Sequence, residues 1–306
     1  MDWKYLKKYN IASNRRTVIV MMVVFLFFGY YYLQKRIDNR FRQKVDSAII
    51  EISPFISAHY EKIHVDFIGR KTKIQGIRVG PIDTNEKISI DELVINKCDI
   101  ENNLPVRTNL ELKGVHLSAD GNLLKTITPY LFHMGYKDIV ADFELAYTLD
   151  VQRHTFDIHN LTLEAGNVGA LKLVLNLNNF DFTKILSEVE NISGLAAACS
   201  LISINTAELR YNDHSFFKKL VRSPQNQQIQ PSIDFIHEAV RGIDHAIEKE
   251  SSLPTKRTLV LLKDFMTTPD KIYISAKPDQ PVHLVRLIWI KNLKDLIELF
   301  QINIEI

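Results

Sequence analysis

Leu171–Leu177 reads LKLVLNL, with leucine at every second position and Lys172, Val174 and Asn176 between. Successive side chains of a strand point to opposite faces, so the four leucines line one side. This is the cleanest strand pattern in the chain, and the same period recurs outward from it. Upstream, Phe143-Glu144-Leu145-Ala146-Tyr147-Thr148-Leu149 leads into Phe156-Asp157-Ile158 and Leu161-Thr162-Leu163. Further upstream, Ile63, Val65 and Phe67 alternate with His64 and Asp66. After a turn at Gly69-Arg70-Lys71, Ile74–Val79 runs back to Gly80-Pro81. Ile88, Ile90, Leu93 and Ile95 predict a third strand, bulged near Asp91-Glu92. Asn109–Leu112 and Gly114–Leu117 predict a fourth, with Gly114 as a bulge or bend. Short links between these runs imply an antiparallel meander.

Helical spacing interrupts the strands at Asn122–Met134, closed by Gly135, and at Phe182–Ala198, before a strand over Ile202–Tyr211. The stretches 62–135 and 139–198 each read as strands followed by a helix, the outline of a weak internal repeat. Beyond Asp213 the character turns helical: His214–Arg222, Ser232–Lys249 and Thr258–Met266. A strand at Lys271–Ala276, short helices between Val282 and Leu299, and a terminal strand Ile302–Ile306 follow. A β-rich part over 61–213 and a mostly helical part over 214–306 thus give an α+β fold. The expected form is a long, twisted antiparallel sheet with helices packed on one face.

At the other end of the chain, Thr17–Leu33 reads TVIVMMVVFLFFGYYYL, without a charge. At about 1.5 Å of rise per residue such a helix covers roughly 26 Å, so 17–34 is expected to be a transmembrane helix heading the sheet. Thr17, Val18, Ile19, Phe25, Phe27, Phe28 and Leu33 would anchor it in hydrocarbon. Tyr30, Tyr31 and Tyr32 would sit at the interface, and Arg15, Arg16, Lys35 and Arg36 against headgroups. No small-residue cleavage site follows, which argues for a retained signal-anchor. Residues 1–16 then form a short basic tail, placed on the cytoplasmic side. Residues 35–60 form an amphipathic juxtamembrane helix, with apolar positions at Ile37, Phe41, Val45, Ile49 and Ile52 and with Pro54 kinking or ending it.

A net charge of +2 is too small to argue for nucleic acid as a partner. Cys98 and Cys199 stand far apart and lack metal-ligand spacing; a disulfide and two free thiols are both open readings. His154 and His159 fall on opposite faces of strands. Asp234, His237 and Arg241 share a helix stripe, where the cation discourages a metal. Ser215 beside His214 has no nucleophile elbow around it, and no glycine-rich phosphate loop occurs. The sequence therefore predicts neither an enzyme nor a cofactor.

What is left is the apolar face of the sheet. The C-terminal helices suffice to cover it; the other reading is a partly open groove for an acyl chain or a partner segment. Ile74–Pro81 (IQGIRVGP), Ile88–Leu93 (ISIDEL), Asn109–Leu117 (NLELKGVHL), Gly169–Leu177 (GALKLVLNL) and Ala207–Asp213 (AELRYND) resemble the strand pattern of AsmA-like, single-span envelope proteins of proteobacteria. The resemblance runs over most of 60–306 and carries no catalytic motif. It implies an inner-membrane protein with a periplasmic β-rich domain that binds membrane lipids or an envelope protein. A structural subunit of a membrane assembly and a membrane-tethered hydrolase are the rival expectations.

Overall fold

The computed structural model describes residues 33–306, apart from 51–52, 55, 67–68, 83–86, 103, 119–120, 122–127, 189–190 and 223–230. Among the described residues, twelve strands make one sheet: β1 Ile56–His59, β2 Lys62–Asp66, β3 Lys71–Pro81, β4 Ile88–Glu101, β5 Leu104–Ser118, β6 Asp138–Asp150, β7 Thr155–Ala165, β8 Gly169–Asn178, β9 Ser203–Asp213, β10 Lys271–Ala276, β11 Val282–His283 and β12 Ile302–Glu305. Around them lie α1 over 33–50, α2 Thr128–His133, α3 Phe182–Ser187, α4 Ile192–Leu201, α5 Phe216–Arg222, α6 Pro231–Lys249, α7 Leu253–Thr267 and α8 Leu293–Phe300, with a 3-10 turn over Leu284–Trp289. The sheet order is β1-β3-β4-β5-β6-β7-β8-β9-β10-β12, with β2 also on β3 and β11 also on β9. From β3 to β9 each strand pairs antiparallel with its chain neighbour, which is the meander the short links imply.

The expected fold class needs correction at its head. No helix among the described residues is long and apolar enough to cross a membrane. Residues 17–32, where the span was expected, lie outside the described residues together with Arg15 and Arg16. Only Leu33, Lys35 and Arg36 of the expected anchor and headgroup positions fall within them, on α1. That helix carries Lys35, Arg36, Asp38, Arg40, Arg42, Lys44 and Asp46 along its length, charges that hydrocarbon does not accept. The fold described is a large antiparallel sheet with helices. A second difference follows α1: residues 56–59 are not helical but form β1, paired to β3 from Ile56↔Pro81 to His59↔Arg78.

Two glycines act as expected. Gly114 has φ +61° and stands at the register shift between Leu112 and Val115 where β5 meets β6. Its N–H donates to Asp142 Oδ1 at 2.7 Å. A Cβ there would lie 2.1 Å from Asp91 Oδ2. Gly114→Ala is expected to cost about 1–3 kcal/mol, from left-handed strain plus displacement of Asp91, readable as a shift in the urea midpoint. Gly135, at φ +79°, ends α2 in a Schellman motif: Tyr136 N–H donates to Leu131 O at 2.8 Å and Gly135 N–H to Phe132 O at 2.9 Å. Leu131 and Tyr136, brought together by that motif, are both buried.

Elsewhere the boundaries move for local reasons. The bulge expected near Asp91-Glu92 lies further along β4, between Ile95 and Lys97, because Glu92 pairs regularly with both Gln75 and Lys113. The helix expected over Phe182–Ala198 is two, α3 and α4. Asn191 restarts the chain as an N-cap, its Oδ1 accepting from Gly194 N–H at 3.2 Å. Cys98 and Cys199 are free thiols on β4 and α4.

Between α6 and α7, the Glu250 side chain is 2% exposed and meets Lys294 Nζ at 3.2 Å. It also accepts from Ser252 N–H at 2.7 Å, and that bond, followed by the Lys294 contacts, holds its carboxyl below the usual range. A depressed carboxylate adds stability above its unfolded pKa of about 4.3 and loses it as pH falls through the lower folded value. Glu250→Gln is therefore expected to lower the urea midpoint at neutral pH. Unfolding curves from pH 7 to pH 3 should converge with wild type at the acid end.

Candidate functional site

Cross-strand register turns the two-residue period into two surfaces. Leu171 of β8 faces Leu163 of β7 and Tyr211 of β9. The same row continues through Phe143, Leu112, Leu93 and Ile74 to Ile63. Two residues along, Leu173 stands in line with Leu161, Leu145, Leu110 and Ile95 on one side and with Leu209, Ile274 and Ile304 on the other. A third row holds Tyr147, Ile158, Leu175, Ala207 and Ala276; a fourth holds Leu149, Phe156, Leu177, Ile204 and Val282. An extra residue in β7 between Ile158 and Leu161 keeps both on the apolar side.

The opposite surface is charged. Lys73, Glu111, Glu144, Thr162, Lys172 and Arg210 share one row there, interrupted only by Val94. Lys73 reaches Glu92 at 3.5 Å, Lys113 reaches Glu111 at 3.2 Å and Lys277 reaches Glu208 at 3.2 Å. Hydrogen bonds from Asn96 to Glu111, and from Lys277 to Glu208, hold both carboxyls below the usual range. Such pairs along a solvated face keep it wet and keep the sheet from closing on itself through that side.

The helices do not cover the apolar surface evenly. Phe265 of α7 packs on Tyr211, Ile272, Ile274 and Ile304, and Phe300 of α8 packs on Ile204, Ala207, Ala276 and Val282. Both helices thus sit at the β9–β12 end. Leu131 and Met134 meet Ile139 and Val168 at one end of the strands. At the other end an aromatic series leaves the sheet: Tyr147 to Phe156 at 5.2 Å, Phe156 to Phe180 at 4.7 Å and Phe180 to Phe182 of α3 at 6.2 Å. Inside this rim, Leu93, Ile95, Leu110, Leu112, Phe143, Leu145, Leu161, Leu171 and Leu173 are only half-buried, and Leu163 is 44% exposed. Among the described residues, none of them belongs to a buried cluster. With strands about 4.8 Å apart, this floor across β4–β8 is roughly 19 Å wide.

A cavity of about 440 Å³ opens where the floor meets the β4–β5 and β6–β7 turns, lined by Leu104, Val106 and Leu149 together with Arg107, Asp150, Gln152 and Thr183. Beside Val106, the Thr108 hydroxyl is buried on the floor with no hydrogen-bond partner among the described residues. A second cavity, about 650 Å³, lies apart from the floor, between α7, α8 and β12.

The residues with reactive side chains are dispersed. His214 Nδ1 lies 3.0 Å from Gly166 O, and Ser215 Oγ donates to Asn167 O at 2.5 Å, so each binds the β7–β8 turn and not the other. His159 pairs with Thr148 at 2.9 Å on the charged face, and His154 sits in the turn before β7 with φ +51°. His237 contributes its carbonyl oxygen to Arg241 Nε at 3.4 Å. No three His, Cys, Asp or Glu side chains of the described residues stand together as a metal site. Of the expected headgroup contacts, Lys35 and Arg36 are exposed on α1. That helix is tied to β2 by Gln34 Nε2 donating to Val65 O and by Val65 N–H donating to Asp38 Oδ1 at 2.7 Å. The aromatic series escaped the sequence reading, although the tight turn over 151–154 pairs Leu149 with Phe156 and so sets Tyr147 diagonally across from Phe156 on the same face.

Fold and site together define a protein built on a two-faced antiparallel sheet, charged on one side and apolar on the other, with helices over one end of the apolar side. A family profile described as "Uncharacterized protein" matches residues 162–305, from the middle of β7 through β12. No curated protein matches the chain.

Proposed function

We propose that the chain is a non-enzymatic lipid-binding protein of the cell envelope, holding an acyl chain on the apolar floor of β4–β8 close to a bilayer. The observation that carries this reading is the floor itself: leucines from five consecutive strands, in register, only partly buried and outside the buried clusters of the described residues. Water is a poor partner for a contiguous surface of this size. An alkyl chain needs no polar partner and tolerates sliding along such a floor, which fits its near absence of hydrogen-bonding groups. The likeness to AsmA-like strand patterns supports the same reading, and with it a periplasmic location beside the inner membrane.

Native mass spectrometry of the purified full chain, followed by organic extraction, tests it. A mass excess that extraction releases as lipid is the expected result. Protein that runs at its bare mass under gentle conditions, and stays so after incubation with phospholipid, would reject it. A stoichiometric protein adduct in place of lipid would favour a partner segment on the same floor.

A further inference from the structure

A second apolar surface lies at the end of the strands, apart from the floor. The 3-10 turn exposes Ile288 to 78% and Trp289 to 75%, with Val285 and Leu287 near 40% exposed (39% and 41%). It packs against α4. Leu284 N–H donates to Ile202 O at 2.8 Å, and His283 Nδ1 lies 3.1 Å from Leu201 O, so the turn is fixed to the end of that helix. α4 (ISGLAAACSL) contains no charged residue and exposes Ile192 to 85% and Leu201 to 52%.

The tip itself carries only cations, while Asp279 and Asp295 flank it, Asp295 Oδ2 accepting from Lys291 N–H at 3.3 Å. Arg286 lies within the turn, Lys291 just after it, and the stretch from Gln280 to Lys294 contains no Asp or Glu. A tryptophan and an isoleucine projecting beside an arginine and a lysine are the combination that settles at the boundary between headgroups and hydrocarbon. The cations complement an anionic surface and would draw the tip to it.

We propose that this tip docks on an anionic lipid bilayer, with Ile288 and Trp289 entering the headgroup region and Arg286 and Lys291 against lipid phosphates. The proposal does not depend on what the β4–β8 floor binds.

Trp289 makes the test direct, because the chain has one other tryptophan, Trp3. In the full chain carrying Trp3→Phe, emission reports Trp289 alone. Mixing with vesicles of phosphatidylcholine containing one third phosphatidylglycerol (about 33%, enough for a negative surface potential) and brominated acyl chains should shift the emission to the blue and quench it. Ile288→Asp should abolish the quenching, and Arg286→Glu with Lys291→Glu should weaken the apparent affinity at least tenfold. These side chains are exposed in the tip or belong to its rim, and unchanged urea midpoints in the variants confirm that the fold is intact. Emission unmoved by vesicles overturns the proposal. So does equal quenching by pure phosphatidylcholine vesicles, or a blue shift that depends on protein concentration without lipid, which would make the tip a contact between copies.

Discussion

Replacing Leu145 by lysine and Leu161 by glutamate together should empty the floor of lipid while the protein still folds. The two leucines face each other across β6 and β7 and point to the apolar side. Both are half-buried, so each gives up only part of the about 1.5–3 kcal/mol that full burial of a leucine contributes. Opposite charges on directly paired strands also compensate one another, so the loss of stability should stay near about 2 kcal/mol. For a bound alkyl chain the consequence is larger. It would have to strip water from an ion pair, and a polar group desolvated without new partners costs about 2–7 kcal/mol, which is tenfold or more in occupancy. Extracted lipid per mole of protein should fall accordingly. The matched control is Glu144→Leu with Thr162→Leu, one residue along each strand and on the charged face. It should leave lipid content unchanged.

The second large effect concerns the helical end. Leu259 is fully buried, at 0% exposure, between Ile243 of α6 and Ile297 of α8, with Leu262, Met266 and Ile302 around it. Leu259→Ala should therefore cost about 2–5 kcal/mol, the upper half applying if the three helices cannot close on the gap. Because these helices rest on β9, β10 and β12, the damage should be local first. Hydrogen exchange should show α6, α7 and α8 losing protection at lower denaturant than β4–β8. Uniform loss across the sheet would mean that the two ends unfold as one unit.

Much of this fold could be read from residue order. The leucine alternation at 171–177, the glycines at 114 and 135 and the strand over Lys271–Ala276 all follow from local chemistry, and the structure places each where that chemistry requires. Three features needed more than local information. The break between α3 and α4 is set by Asn191 capping a second helix, which competes with an otherwise continuous apolar spacing. Residues 56–59 become a strand because β3 is long enough to pair with β1 at one end and β2 at the other. The floor is the third case. Helices able to cover the sheet are visible in the sequence, but where they land is decided by side-chain packing. Phe265 and Phe300 fix them over β9–β12, leaving the leucines of β4–β8 partly exposed. A transmembrane segment heading the sheet was the plainest sequence expectation, and the described residues contain no helix of that kind.

The most direct measurement places a photoreactive benzophenone side chain at position 161 in one protein and at position 162 in another, and irradiates each in cells. Leu161 and Thr162 are neighbours in the chain but look out from opposite faces of β7. A lipid-sized adduct at 161 and none at 162 is the expected result. Equal labelling at both positions, or no lipid adduct at 161, would contradict lipid binding on the apolar floor.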